Sequence, residues 1–120
     1  RHFTSMAEEL PPEEVLKILN EYFEEMIEVI FNYGGTLDKF IGDGMMVEFG
    51  APLEDKLQEL HAVLAGVHMQ LHLEKLNDKW EKEGKPRLEM GVGIHTGLAV
   101  LGNIGSDRRM EYTAIGDTVN

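Results

Sequence analysis

Thr36-Leu37-Asp38-Lys39-Phe40-Ile41-Gly42-Asp43-Gly44-Met45-Met46-Val47-Glu48-Phe49 reads as two short apolar strands folded back on each other. Asp43-Gly44 between alternating hydrophobic residues is a strong hairpin signal, because both central turn positions need φ > 0. The hairpin sets Lys39 and the Asp43 carboxylate at or beside one turn. Taken alone, Asp43 reads equally well as a plain turn residue, and Lys39 as a solvent-facing strand residue.

Upstream, Val15, Leu16, Ile18, Leu19, Tyr22, Phe23, Met26, Ile27 and Ile30 recur at helical spacing. Pro11 and Pro12 suit the first turn of that helix, since neither needs an amide donor. Gly34-Gly35 ends it, glycine being at ease in the left-handed cap. Ahead of the prolines, Ser5-Met6-Ala7-Glu8 fits a capping box for a short helix ending near Leu10.

Downstream, the pattern predicts a second helix over 54–83, with Leu57, Leu60, Leu64, Val67, Leu71 and Trp80 as its buried stripe. His61, His68 and His72 lie one position beyond that stripe. The His-Glu-x-x-His arrangement is absent, so histidines flanking the core are preferred over a zinc site. Gly84-Lys85-Pro86 is a turn. Strands are expected over 88–95 and 98–101, turning at Thr96-Gly97, and again over 110–115. Glycines 91 and 93 mark a bulge or a close backbone approach. Gly102 to Asp107 reads as a glycine-rich connection without the Gly-Lys-Ser/Thr of a P-loop. Asp117 or Thr118 is placed to cap a further helix.

The chain of 120 residues is enough for one domain. It has no cysteine, which excludes disulfides and thiolate metal sites. No apolar run approaches the roughly 20 residues that span a bilayer. A net charge of −11 repels phosphate backbones and argues against nucleic-acid binding. A small anionic ligand remains compatible if local cations or metal ions neutralise it. Arg1-His2-Phe3 opens without a preceding strand and Asn120 follows closely on the expected helix start, so a piece of a longer domain is expected.

Four stretches, in order, resemble the class III nucleotidyl cyclase catalytic domain, with the bacterial, cyanobacterial-type adenylyl cyclases most similar. They are Phe3-Thr4-Ser5-Met6, Lys39-Phe40-Ile41-Gly42-Asp43-Gly44, Gly93-Ile94-His95-Thr96-Gly97 and Tyr112-Thr113-Ala114-Ile115-Gly116-Asp117-Thr118-Val119-Asn120. The resemblance covers residues 1–120 as one truncated catalytic domain. It implies an α+β, ferredoxin-like cyclase fold, a mostly antiparallel sheet packed by helices, with the first strand and the C-terminal part outside this chain. It further implies a cytoplasmic head-to-tail homodimer that binds ATP at the subunit interface and makes cyclic AMP. Two divalent metal ions, Mg²⁺ or Mn²⁺, would assist attack of the ribose 3′-oxygen on the α-phosphorus, with pyrophosphate leaving. Such ions lower the pKa of an attacking hydroxyl and neutralise leaving phosphates.

Carried over by residue, Asp43 resembles the second metal-binding aspartate. Phe3 and Thr4 would lie beside the triphosphate. Lys39 resembles the lysine that donates to an adenine ring nitrogen, and Thr113 its partner, whose hydroxyl can accept from the adenine amino group. Asn120 resembles the asparagine that orients the ribose. Guanylyl cyclases tend to carry glutamate and cysteine at the positions of Lys39 and Thr113, so this pair favours ATP. The resemblance places the first metal aspartate two residues before Arg1 and a transition-state arginine four beyond Asn120. Leu98 stands where some members have a phosphate-contacting arginine. The alternatives are a non-catalytic, dimerising or nucleotide-sensing module, and, opposed by Lys39 and Thr113, a guanylyl cyclase.

Overall fold

A computed structural model describes residues 8–106 and 109–120, and describes 103–106 and 109–113 by backbone alone. The expected capping box at Ser5 therefore lies outside the described residues; Glu8 and Glu9 are helical and the chain bends at Leu10.

Helix α1 spans Pro12–Asn32, with Pro12 in its first turn and Glu13 and Glu14 beside its positive end, where carboxylates are favoured. Val15, Ile18, Tyr22, Met26, Val29 and Ile30 form its buried face. Leu16, expected inside, is largely exposed, and Val29 takes a core place instead. Gly34 takes φ 82, which ends the helix, and Gly35 then passes through a space without room for a side chain. A Cβ there would stand 2.7 Å from Ile30 and 2.8 Å from the Phe49 ring.

Strands β1, Thr36–Ile41, and β2, Gly44–Glu48, pair antiparallel. The two-residue turn is Gly42-Asp43, closed by the Ile41–Gly44 pair, rather than Asp43-Gly44. The positive φ falls at Gly42, at 60, where a glycine pays no Cβ penalty. The register steps between Leu37 and Lys39, making Asp38 the extra residue of a β-bulge. Phe40 meets Phe23 of α1 edge-on at 4.7 Å, tying the hairpin to the helix.

Helix α2 spans Gln58–Lys82. Its buried residues are Ala65, Gly66, Met69, Leu73, Asn77 and Trp80, so of the expected stripe only Trp80 is buried. Leu57, Leu60, Val67 and Leu71 remain about half exposed. The helix carries apolar side chains on two faces, and the face with small residues wins because other segments can approach it closely. A Cβ on Gly66 would already stand 3.4 Å from Val92. The helices run antiparallel: His72 meets Glu25, Lys79 meets Glu21, and the His68 ring lies 5.2 Å from that of Tyr33. Ile18, Met26 and Trp80 are fully enclosed between them, each such burial contributing about 1.5–3 kcal/mol.

The expected strand over 88–95 belongs to no ladder among the described residues. Side chains of α2 hold its backbone instead. Asn77, 6% exposed, donates to the Leu88 carbonyl at 2.9 Å and accepts from the Leu88 amide at 2.7 Å. Gln70 donates to the Met90 carbonyl at 2.7 Å.

Strand β3, Val100–Ser106, pairs antiparallel with β4, Arg109–Ile115. The expected strand over 98–101 thus starts later, and Gly102 to Ser106, expected as a connection, is strand. The pairing with β4 supplies the ladder bonds that glycine-rich composition alone does not forecast. Residues 117–119 form a turn rather than a described helix, and the Thr118 hydroxyl donates to the Leu98 carbonyl at 2.6 Å instead of capping.

Candidate active site

Asp43 is exposed at the β1–β2 turn, where a two-residue loop holds it clear of both strands. Burial raises the Tyr22 hydroxyl above its ordinary range, and the Asp43 charge adds to that shift. Asp43 and Asn120 both border a broad cleft of about 1100 Å³ that runs between β2 and residues 88–97. Tyr22, Ile30, Ala65 and Met69 line its apolar part. Neither β2 on its cleft side nor the 88–97 segment has a further ladder partner among the described residues.

Lys39 lies half-buried on β1 opposite Met46 and does not border that cleft. Thr113 is placed by its backbone on β4, opposite Gly102. The strands carrying these two residues meet where Asp38 Oδ2 accepts a hydrogen bond from the Ala114 amide at 3.3 Å. Phe3 and Thr4 lie outside the described residues.

Behind Asp38 sits Glu48, which the sequence reading passed over. Burial, then a hydrogen bond and charge from Asp38, push its carboxyl up to about 7, against a lowering effect of Lys39. Glu48 Oε2 is sealed from solvent and meets no hydrogen-bond partner among the described residues. Its one signal in the sequence was a carboxylate at the end of an apolar strand, which by itself is ordinary.

The three histidines of α2 have separate tasks. His61 pairs with Asp55 at 2.6 Å, His72 with Glu25 at 2.6 Å, and His68 lies against Tyr33. Among the described residues no three His, Cys, Asp or Glu side chains gather to hold a metal ion. Asp43 nevertheless supplies a hard, exposed oxygen donor. Mg²⁺ is commonly held by one or two carboxylates together with substrate phosphates, and Asp43 fits as one such ligand.

An antiparallel helix pair, a hairpin packed on it that offers a carboxylate at its turn, and a second antiparallel hairpin that meets the first make an α+β domain of nucleotide-cyclase type. The chain belongs to the adenylate and guanylate cyclase catalytic domain family, whose model matches residues 1–120. It is 39% identical to adenylate cyclase 1 of Rhizobium meliloti, over 98% of this chain and 18% of that protein. It is 40% identical to an adenylate cyclase of Anabaena cylindrica, over 100% of this chain and 24% of that protein. Among solved structures, the adenylyl cyclase CyaB from P. aeruginosa superposes with a TM-score of 0.94 at 41% identity, covering 99% of this chain and 62% of that one. The guanylyl cyclase Cya2 superposes with a TM-score of 0.92 at 50% identity, covering 99% and 60%. Domains of this family are generally metal-dependent. No helix among the described residues is long and apolar enough to cross a membrane.

Proposed function

We propose that this chain is the catalytic domain of an adenylyl cyclase, forming 3′,5′-cyclic AMP and pyrophosphate from ATP in a cytoplasmic homodimer. The observation that carries this reading is the contact of β1 with β4 through Asp38 and Ala114. It brings the strand of Lys39 beside the strand of Thr113, and on this reading the base takes a cationic donor from the first and a hydroxyl from the second. That pattern matches adenine, whose ring nitrogens accept and whose amino group donates.

Asp43 borders the cleft and Lys39 does not, which supports a dimer in which each hairpin serves two sites. Lys39 and Thr113 orient the base, Asn120 orients the ribose, and Phe3 and Thr4 approach the triphosphate through the backbone. Asp43 holds one carboxylate oxygen toward the phosphates. Two Mg²⁺ or Mn²⁺ ions, when bound, neutralise phosphate charge and acidify the ribose 3′-hydroxyl. The first metal aspartate, on a strand ahead of Arg1, would suit the cleft beside β2, whose flanks have no further ladder partner among the described residues and whose floor is apolar. Positioning and charge stabilisation then provide most of the acceleration in phosphoryl transfer.

A guanylyl cyclase is the second reading, favoured by the 50% identity to Cya2. The test is nucleotide turnover by the full-length parent protein with Mn²⁺, using ATP and GTP in parallel. Cyclic AMP as the main product is expected. Cyclic GMP as the main product would establish the second reading, and no cyclic product would reject both.

A further inference from the structure

Asp38 has no part in the chemistry above, yet three features converge on it. It is the extra residue of the bulge in β1, immediately before Lys39. Its Oδ2 accepts from the amide of Ala114, the residue after Thr113. Glu48, whose strand position is opposite Thr36, brings its carboxyl beside that of Asp38.

We infer that Asp38, clamped by Glu48, is a positioning residue that fixes the spacing between Lys39 and Thr113 and so sets which purine the site prefers. β1 and β4 belong to separate two-stranded sheets, and no ladder hydrogen bond joins them among the described residues. Their spacing therefore depends on side-chain contacts, and the Asp38–Ala114 bond lies one residue from each base reader. Bulges re-aim side chains next to functional sites, and this one turns a carboxylate toward the neighbouring sheet. A protonated Glu48 is a donor toward Asp38, so the aspartate has contacts from β2 as well as from β4. Errors of about 1 Å in such positioning cost on the order of 100-fold in rate.

The inference rests on Lys39 and Thr113 being the base readers, and the experiment separates the two claims. In the full-length protein, kcat/KM is measured for ATP and for GTP. Asp38→Ala is expected to lower the ATP-over-GTP ratio at least about tenfold, mainly through KM for ATP. Asp38→Asn is expected to restore the ratio, because its amide oxygen accepts from Ala114 and its NH₂ donates to Glu48. Glu48→Ala removes one contact of the aspartate while leaving both reader side chains in place, and is expected to lower the ratio by about threefold; it carries the test if Asp38→Ala does not fold. The double variant Lys39→Glu with Thr113→Cys is run alongside. If it shifts the ratio while Asp38→Ala and Glu48→Ala do not, the positioning role is refuted and base reading stands. If none of the three shifts it, the base-reader assignment falls and takes the positioning role with it. An Asp38→Asn protein as defective as Asp38→Ala would also overturn the inference, since charge rather than placement would then be acting.

Discussion

Asp38 and Ala114 are joined across two separate sheets: the aspartate accepts the alanine amide at 3.3 Å, with the Glu48 carboxyl packed behind it. The contact couples the bulge of one hairpin to the strand of the other, and Glu48 makes it sensitive to pH.

Glu48 is pushed up to about 7 from its ordinary 4.5. Between those values the folded domain holds a proton that the unfolded chain has released, so stability falls as pH rises through this window. The cost is absent below the unfolded pKa and complete above the folded one. Glu48→Gln keeps a donor toward Asp38 and removes the titration. It is expected to stabilise the domain by about 1–2 kcal/mol near pH 8, after discounting for partial solvent screening, and by almost nothing at acid pH. Urea unfolding at both pH values checks this; an equal gain at both would remove Glu48 as the cause.

Asp43 is exposed, and no described contact of the fold depends on it. Asp43→Ala is expected to abolish cyclic AMP formation while shifting stability by less than about 0.5 kcal/mol. Turnover and thermal melting on the same preparation decide the matter. Retained turnover would reject Asp43 as a metal ligand.

Lys39→Glu with Thr113→Cys exchanges a donor and an acceptor for the reverse pattern. The ATP-to-GTP ratio of kcat/KM is expected to fall at least about tenfold, because unmatched polar groups in a binding site discriminate strongly. Steady-state kinetics with both nucleotides provides the measurement.

Asn77 is the polar residue in the buried face of α2, and it satisfies both backbone groups of Leu88. Asn77→Ala leaves a buried amide and a buried carbonyl without partners and is expected to cost about 2–4 kcal/mol. Asn77→Asp keeps an acceptor for the amide but loses the donor to the carbonyl, and is expected to be destabilising as well. Denaturant midpoints, with unchanged m-values, report these effects; a neutral Asn77→Ala would show that the 88–90 segment is held by other contacts.

What the sequence by itself determined is local in origin. The α1 face follows from apolar residues at a 3.6-residue period, its start from Pro12 and its end from Gly34. The hairpin at 36–48 follows from two apolar runs broken by Gly-Asp-Gly, although which pair formed the turn depended on a ladder closing at Ile41–Gly44. The place of Asp43 at the turn was legible, and it stands as a candidate because a carboxylate there belongs to a recognisable motif.

Tertiary structure alone decided the rest. Leu57, Leu60, Val67 and Leu71 are apolar and offer a second stripe, yet the antiparallel approach of α1 selected Ala65, Met69, Leu73 and Trp80. Residues 88–95 have strand composition, but a strand exists only where a partner backbone bonds to it; among the described residues the amides of Asn77 and Gln70 do the holding there. The link from Asp38 to Ala114 spans 76 residues, and Glu48 owes its shifted pKa to burial beside that aspartate. Period and turn chemistry act between neighbours in the chain. Burial, carboxyl pairing and the spacing of two sheets act between residues that only folding brings together.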